Sequence, residues 1–504
     1  MAASTPHDPE TKFNIVCCAI GGFIGLFGLV SFLLKESFFV SEPLISLAAG
    51  VALSPFGFDL VRPRELAGAG HPTDPAAQQE AVETATLCFA RLVLGVQVLI
   101  AGVRLPSKYP RREWRSLAVL LGPGMLGMWA ATSLLVWLVV PGIDVAGALA
   151  IGACMTPTDP VLSNSIVQGP FADRHMPEPL QMIIVGESGA NDGLGYLFVY
   201  LPLYLVNHAR EDDGSQVGNA VLAFLGMTLG RQVVLGVVYG AAVGWGAKYV
   251  LYWSERKNYV DTESFQFFVI ALALFVIGTA GLLDVNDILA CFVAGVLFTW
   301  DDWFTEQTKN DTLQPIMDFL LSVTVFMWLG AVCPWDLFFN ATVMGWPRLL
   351  ILAILVLLFR RVPVILALHT FIPQIRSVRH ALIMGFFGPI GISAIFYVYT
   401  IREFLRPLAA DGREDCRALA DQTLVVVWFL VFSSVVVHGL AIPLGTLATS
   451  LPQVIRQTKT VLGGEEIDNS RAAARQQQED GQHPERGERR PLLGQETDGR
   501  IDSA

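Results

Sequence analysis

The sequence predicts an all-α polytopic membrane protein of about thirteen transmembrane helices, and three observations carry that expectation. The 504 residues are 53% hydrophobic and only 16% charged, whereas a soluble domain carries about 25% charged residues. Apolar runs of roughly 20 residues, enough to cross about 30 Å of hydrocarbon, recur from Phe13 to Leu447. Two of these runs, one in each half of the chain, are interrupted by glycine and proline. Paired interruptions of that kind point to inverted repeats built around a mid-membrane site.

Taken in order, the spans centre on Phe13–Leu34, Glu36–Ser54, Ala81–Arg104, Ser116–Val140, Val145–Val167, Leu180–Asn207 and Gly230–Leu251. They continue with Ser264–Leu283, Asn286–Trp300, Leu313–Cys333, Pro347–Phe371, His380–Thr400 and Thr423–Leu447. The first exceeds a typical signal-peptide core and reads as a retained helix. Basic loops at Lys108, Arg111, Arg112 and Arg115, at Arg256 and Lys257, and at Arg376 and Arg379 fall on one side under this count. Loops on the other side carry few basic residues. The positive-inside rule then puts the C-terminal tail in the cytoplasm and residues 1–12 outside. Residues 450–504 form that tail, and from 464 onward its polar composition predicts disorder.

The net charge of −11 lies largely in loops and tail and implies no nucleic-acid partner. Seven scattered cysteines argue against a disulfide framework or a zinc site. The absence of a GxxxxGK[ST] loop argues against ATP as energy source, and there is no HExxH motif.

Chemistry enters where the apolar runs break. The fifth span carries Thr156-Pro157-Thr158-Asp159-Pro160. Two prolines three residues apart remove backbone donors and should open the helix. Freed backbone groups at membrane depth need a cavity or a protein interior beside them; a plain proline kink is the simpler alternative. The twelfth span carries Gly385 to Ser393, GFFGPIGIS, with breakers Gly388, Pro389 and Gly391.

The sixth span carries GESGANDGLG, Gly186 to Gly195. An ionisable residue at this depth costs about 2.5 to 3.5 kcal/mol on insertion scales, so Glu187, Asn191 and Asp192 need a reason to be there. Glu187 and Asn191 share a helix face. Gly189 and Gly193 form a GxxxG that admits a close helix, expected to bring Asp192 against the break at Thr158–Asp159. A structural polar network without a solute is the alternative. Arg360 and Arg361 lie deep in another apolar run, so one is expected to pair internally, while snorkelling could serve the other. Asp287 reads as a helix-start polar group. His438 is divided between packing and function.

TPTDP followed by GESGANDG resembles the monovalent cation/proton antiporter superfamily. GFFGPIG and VVVHGLAIP, with VLIAGVRLP in support, are similar to the fungal plasma-membrane Na+/H+ antiporters. The resemblance spans residues 13–449. It implies a thirteen-helix transporter, usually a homodimer, with a core domain holding two crossed broken helices beside a dimerisation domain. By motif match Asp192 would carry the cation or the proton, with Asn191 as its neighbour, and Thr158 and Asp159 would line the site. Na+ would then meet Asp192, Asp159 and Thr158. Glu187 would pair with an arginine. Many relatives place that arginine where this chain has Phe387, so Arg361 in its R-x-P setting is the favoured partner and Arg360 the second candidate.

The resemblance implies no cofactor, only transported Na+ and H+, with Li+ or K+ as alternative cations, in the plasma membrane. Removal from water favours a neutral carboxyl and a dehydrated cation favours the ionised one, so the two would compete during alternating access. Two other classes share some features. An intramembrane aspartyl protease would use Asp159 and Asp192 as a dyad, though the Asn-Asp-Gly context does not suit it. A cation channel would prefer a ring of charges.

Overall fold

The computed structural model describes residues 9–32, 41–67, 74–167, 176–208, 216–308, 313–339, 343–441 and 443. Every regular element among them is helical. Eight helices are long and apolar enough to cross a membrane, and three shorter apolar helices accompany them. Their outer faces carry exposed Leu126, Leu134, Trp137, Phe275, Ile354 and Leu358, a surface suited to lipid and not to water. The chain is a multi-pass membrane protein.

In chain order the elements are α1 (Pro9–Phe32), α2 (Glu42–Leu53), α3 (Pro75–Arg104), α4 (Trp114–Val139), α5 (Val145–Cys154), α6 (Pro160–Val167) and α7 (Glu178–His208). Then follow α8 (Val217–Arg256), α9 (Thr262–Leu282), α10 (Asp287–Phe298), α11 (Leu313–Val332), α12 (Trp346–Phe359) and α13 (Val362–Leu368). The last are α14 (Val378–Phe386), α15 (Ile392–Ala410) and α16 (Glu414–Ala441). The expected tail, 450–504, most of the expected external segment 1–12, and residues 36–40 of the second expected span lie outside the described residues.

Local chemistry sets many helix starts. Side chains accept backbone N–H groups at several N-termini, among them Asp74 from Ala76 at 2.9 Å, Asp144 from Gly147 at 2.8 Å, Asp261 from Ser264 at 2.7 Å, Asn286 from Leu289 at 2.9 Å and Ser377 from His380 at 3.2 Å. Each satisfies a donor that the helix itself leaves unpaired. Asn286 is therefore the cap of α10, and Asp287 is its first helical residue.

Several spans differ from the sequence expectation: the third begins at Pro75 and the last at Glu414, each ahead of its expected start, and two others depart further. The seventh, expected over Gly230–Leu251, begins much earlier, because a π-helical stretch over Phe224–Val234 carries the helix through its glycines. There Arg231 is held by Asp284 at 3.1 Å. The eleventh, expected over Pro347–Phe371, is interrupted at Arg360–Arg361. Pro363 has no N–H to donate back to this turn.

Helices approach closely through small residues. A methyl added at Gly240 or Gly244 would meet the backbone of Ala290 or Ala294, joining α8 to α10. Such contacts drive association where lipid is as apolar as leucine.

Candidate functional site

The candidate site lies where the fifth and twelfth spans break and meet. Helix α5 stops at Cys154 and α6 starts at Pro160, leaving Met155–Asp159 irregular. Helix α14 stops at Phe386 and α15 starts at Ile392, with Gly388-Pro389 between. The Asp159 N–H donates to the Pro389 carbonyl at 3.0 Å, which ties one break to the other.

The Asp159 carboxylate extends that tie. One oxygen accepts from Val161 N–H at 2.8 Å and Leu162 N–H at 3.2 Å, capping α6; the other accepts from Ile392 N–H, capping α15. A single negative charge thus serves two half-helix N-termini, where the helix dipole favours it. Gly391 makes the approach possible, since a methyl there would fall on the Asp159 carboxylate.

Arg360 serves the opposite ends. Its guanidinium donates to the carbonyls of Met155 and Gly388, and to Pro157 at 3.3 Å. These are carbonyls that broken helices leave without partners. Arg360 is 2% exposed, and it takes no part in an ion pair with Glu187. Its expected second-candidate role is replaced by carbonyl capping, because its side chain turns toward the breaks.

Arg361 turns the other way. Its two terminal nitrogens meet the two oxygens of Glu187 at 2.7 and 2.8 Å, and its Nε donates to the Met384 carbonyl at 3.1 Å. Both partners are essentially sealed from solvent. This forked geometry is the strong form of a carboxylate–arginine contact.

One turn further along α7, Asn191 Nδ2 donates to the Thr158 hydroxyl at 2.8 Å, and Thr158 N–H reaches Asn191 Oδ1 at 3.4 Å. Ser188 Oγ lies 3.1 Å from the Thr158 hydroxyl. Asp192 follows, 1% exposed. Among the described residues neither of its carboxylate oxygens has a hydrogen bond of ordinary geometry, and the Ser393 hydroxyl stands beside it. Its backbone carbonyl accepts from the Tyr397 hydroxyl. Asp159 and Asp192 are near enough to interact, yet one carboxylate is engaged by backbone donors and the other is not.

The GxxxG element does something different from its expected role. A methyl at Gly193 would come within 2.6 Å of Leu289 Cα, and one at Gly189 within 2.6 Å of the Phe292 ring. Both glycines therefore receive α10, not the TPTDP break. Asn191 and Ser188 face Thr158 from another side of the helix.

Several contributors carried no sequence signal of their own. Tyr397 and Ser393 arrive from a helix some two hundred residues away. Tyr196, Tyr200 and Tyr204 follow Asp192 at one-turn intervals, and Phe404 packs edge-on to the last two at 6.1 Å. Tyr196 stacks on Tyr200 at 5.5 Å and stands edge-on to Tyr397 at 5.8 Å. Ser188 was legible in hindsight, because it lies four residues before Asp192 on a shared face.

Comparison with known proteins places this geometry in context. The family model described as "Sodium/hydrogen exchanger, transmembrane" matches residues 22–445. A Na+/H+ antiporter of Saccharomyces cerevisiae is 32% identical over 463 residues, covering 89% of this chain and 45% of its own. A second relative, from Schizosaccharomyces pombe and named "Probable Na(+)/H(+) antiporter C3A11.09", is 34% identical over 444 residues, covering 86% of this chain and 56% of its own. The chain thus spans about half the length of these two relatives. The sodium proton antiporter MjNhaP1 from Methanocaldococcus jannaschii shares the fold, with a TM-score of 0.58 at 16% identity over 83% of this chain and 98% of that one.

Proposed function

From the premise that this chain belongs to the sodium/hydrogen exchanger family, we propose that it exchanges Na+ for H+ across the plasma membrane, with both ions competing for Asp192. The observation that carries the reading is the Asp192 carboxylate. It is buried beside two helix breaks, and no described residue gives its oxygens a hydrogen bond of ordinary geometry. A buried carboxylate with only the Ser393 hydroxyl beside it is costly unless it holds a proton or meets a cation. Either ion removes the cost, and each excludes the other.

Hard oxygen donors suit an alkali cation, and the Thr158 hydroxyl supplies one close to Asp192's helix turn. Asp159 contributes its charge from between the breaks. Because its oxygens already accept backbone N–H groups, it would have to release a donor before ligating Na+ directly. That arrangement also weighs against the protease reading, which needs two carboxyl groups free to share a water.

Alternating access follows from the same frame. The tyrosine ladder beyond Asp192 covers it toward the α7 end at His208, which the loop charges assign to the outside. Near that end Arg402 reaches Glu83 at 3.1 Å and Arg406 reaches Glu80 at 2.6 Å, linking α15 to α3. Exchange then requires this side to open as the opposite side closes. The working unit is a homodimer with its tail in the cytoplasm.

The test is ion flux in proteoliposomes holding the full chain. Internal pH should respond to Na+ gradients, with Li+ and K+ run alongside, at clamped and free membrane potential. Na+ flux uncoupled from protons would indicate a channel, and no cation-dependent proton movement would remove the reading altogether.

A further inference from the structure

The closing VVVHGLAIP motif is not absorbed by ion binding at Asp192, yet its histidine is 4% exposed in the last helix. His438 Nε2 lies 2.9 Å from the carbonyl of Phe386. A carbonyl can only accept, so this contact is a hydrogen bond in the tautomer whose proton sits on Nε2. On the other side of the ring, Nδ1 faces Ser434 one turn earlier, at 3.1 Å from its hydroxyl and 2.8 Å from its carbonyl. Ser434 Oγ in turn accepts the Ile390 N–H at 2.8 Å. The ring of Phe386 leans on the imidazole, with centroids 5.3 Å apart.

Phe386 and Ile390 flank Gly388-Pro389. The first is the last residue of α14, so its carbonyl is one that the helix cannot satisfy; it accepts from Gly388 N–H at 2.9 Å inside the break and faces His438 from α16. The second lies inside the break. The same short loop sends its other groups toward the first break: the Gly388 carbonyl to Arg360, the Pro389 carbonyl to Asp159 N–H, and the Ile392 N–H to the Asp159 carboxylate. The loop is therefore held from two sides, by α16 on one and by the TPTDP break on the other.

We propose that Ser434 and His438 form a positioning pair. They hold Phe386 and Ile390 so that Gly388, Pro389 and Ile392 meet the Asp159 break, and so set the affinity of the cation site without touching the cation. This rests on the exchange reading above and adds residues to it. Losing one buried hydrogen bond on each flank lets the loop relax, and a relaxed loop no longer fixes the oxygens around Asp192.

The experiment compares wild type, His438→Ala, His438→Gln and Ser434→Ala as full-length protein in proteoliposomes, each normalised to inserted protein. His438→Ala should raise the Na+ concentration for half-maximal exchange roughly tenfold, the scale of one buried hydrogen bond left unmade, with maximal rate nearly kept. Glutamine can donate to the Phe386 carbonyl, so His438→Gln should recover most of the affinity. Ser434→Ala removes the Ile390 acceptor and the hydroxyl beside His438 Nδ1 but leaves the His438–Phe386 contact, and should shift affinity in the same direction by a smaller factor. An unchanged half-maximal concentration in both alanine variants, with rates falling only as folded protein falls, overturns the proposal in favour of plain packing. If His438→Ala does not insert, Ser434→Ala decides alone. Failure of wild type to exchange would instead sink the functional reading, so the two failures are distinct.

Discussion

Glu187 and Arg361 meet through two parallel hydrogen bonds of 2.7 and 2.8 Å, although 174 residues separate them in the chain. Helix α7 contributes the carboxylate and the turn between α12 and α13 contributes the guanidinium. Both are buried, so each compensates a charge that the other's absence would leave exposed to a medium of low polarity.

Removing one partner should therefore be worse than removing both. Glu187→Gln and Arg361→Gln should each cost about 3 to 5 kcal/mol, while the double variant regains part of the loss. A double-mutant cycle of thermal unfolding in detergent measures this. Strictly additive losses would mean that the contact contributes no coupling.

Asp192→Asn should abolish exchange while leaving insertion and thermal stability near wild type. The amide can neither release a proton nor offset a cation's charge, no hydrogen bond of ordinary geometry to the carboxylate is lost, and an amide oxygen can still face the Ser393 hydroxyl. Purified variant that still moves protons in response to Na+ at a near wild-type rate contradicts the assignment.

Asp159→Asn should lower both stability and transport. The carboxylate accepts from Val161, Leu162 and Ile392, and an amide offers one acceptor oxygen in place of two. Leaving a buried donor unmatched costs about 1 to 3 kcal/mol. A variant with full thermal stability and weakened cation affinity would show that capping matters less here than ligation.

Gly391→Ala should damage the meeting of the two breaks through shape alone. The added methyl would fall on the Asp159 carboxylate, so the two breaks must separate or the carboxylate must turn away. Overpacking of this kind typically costs about 1 to 3 kcal/mol. The variant should show a lowered melting temperature together with reduced exchange, and neither should be rescued by raising Na+.

How much of this was legible beforehand follows from what is local. Apolar run length is a local property, so the membrane class and most spans could be read directly. Proline and glycine act on their own turns, so the openings at Thr156–Pro160 and at Gly388–Gly391 were legible too. The π-helical stretch at Phe224–Val234 was not, because its glycines look like a boundary until neighbouring helices show that the chain continues.

The polar residues divide in the same way. Sequence alone determined that Glu187, Asn191, Asp192, Asp159 and two arginines lie at a depth where each needs a partner or a purpose, because desolvation cost depends on depth and residue type. Which partner each one meets was decided only by tertiary structure. Arg360 and Arg361 are adjacent in the turn between α12 and α13, where the helix is interrupted, and their side chains diverge, one to the break carbonyls and the other to Glu187. Gly189 and Gly193 admit a close helix by composition, but only packing selects α10. Asp159 caps two helix ends because the second break happens to meet its own, and no local rule contains that contact.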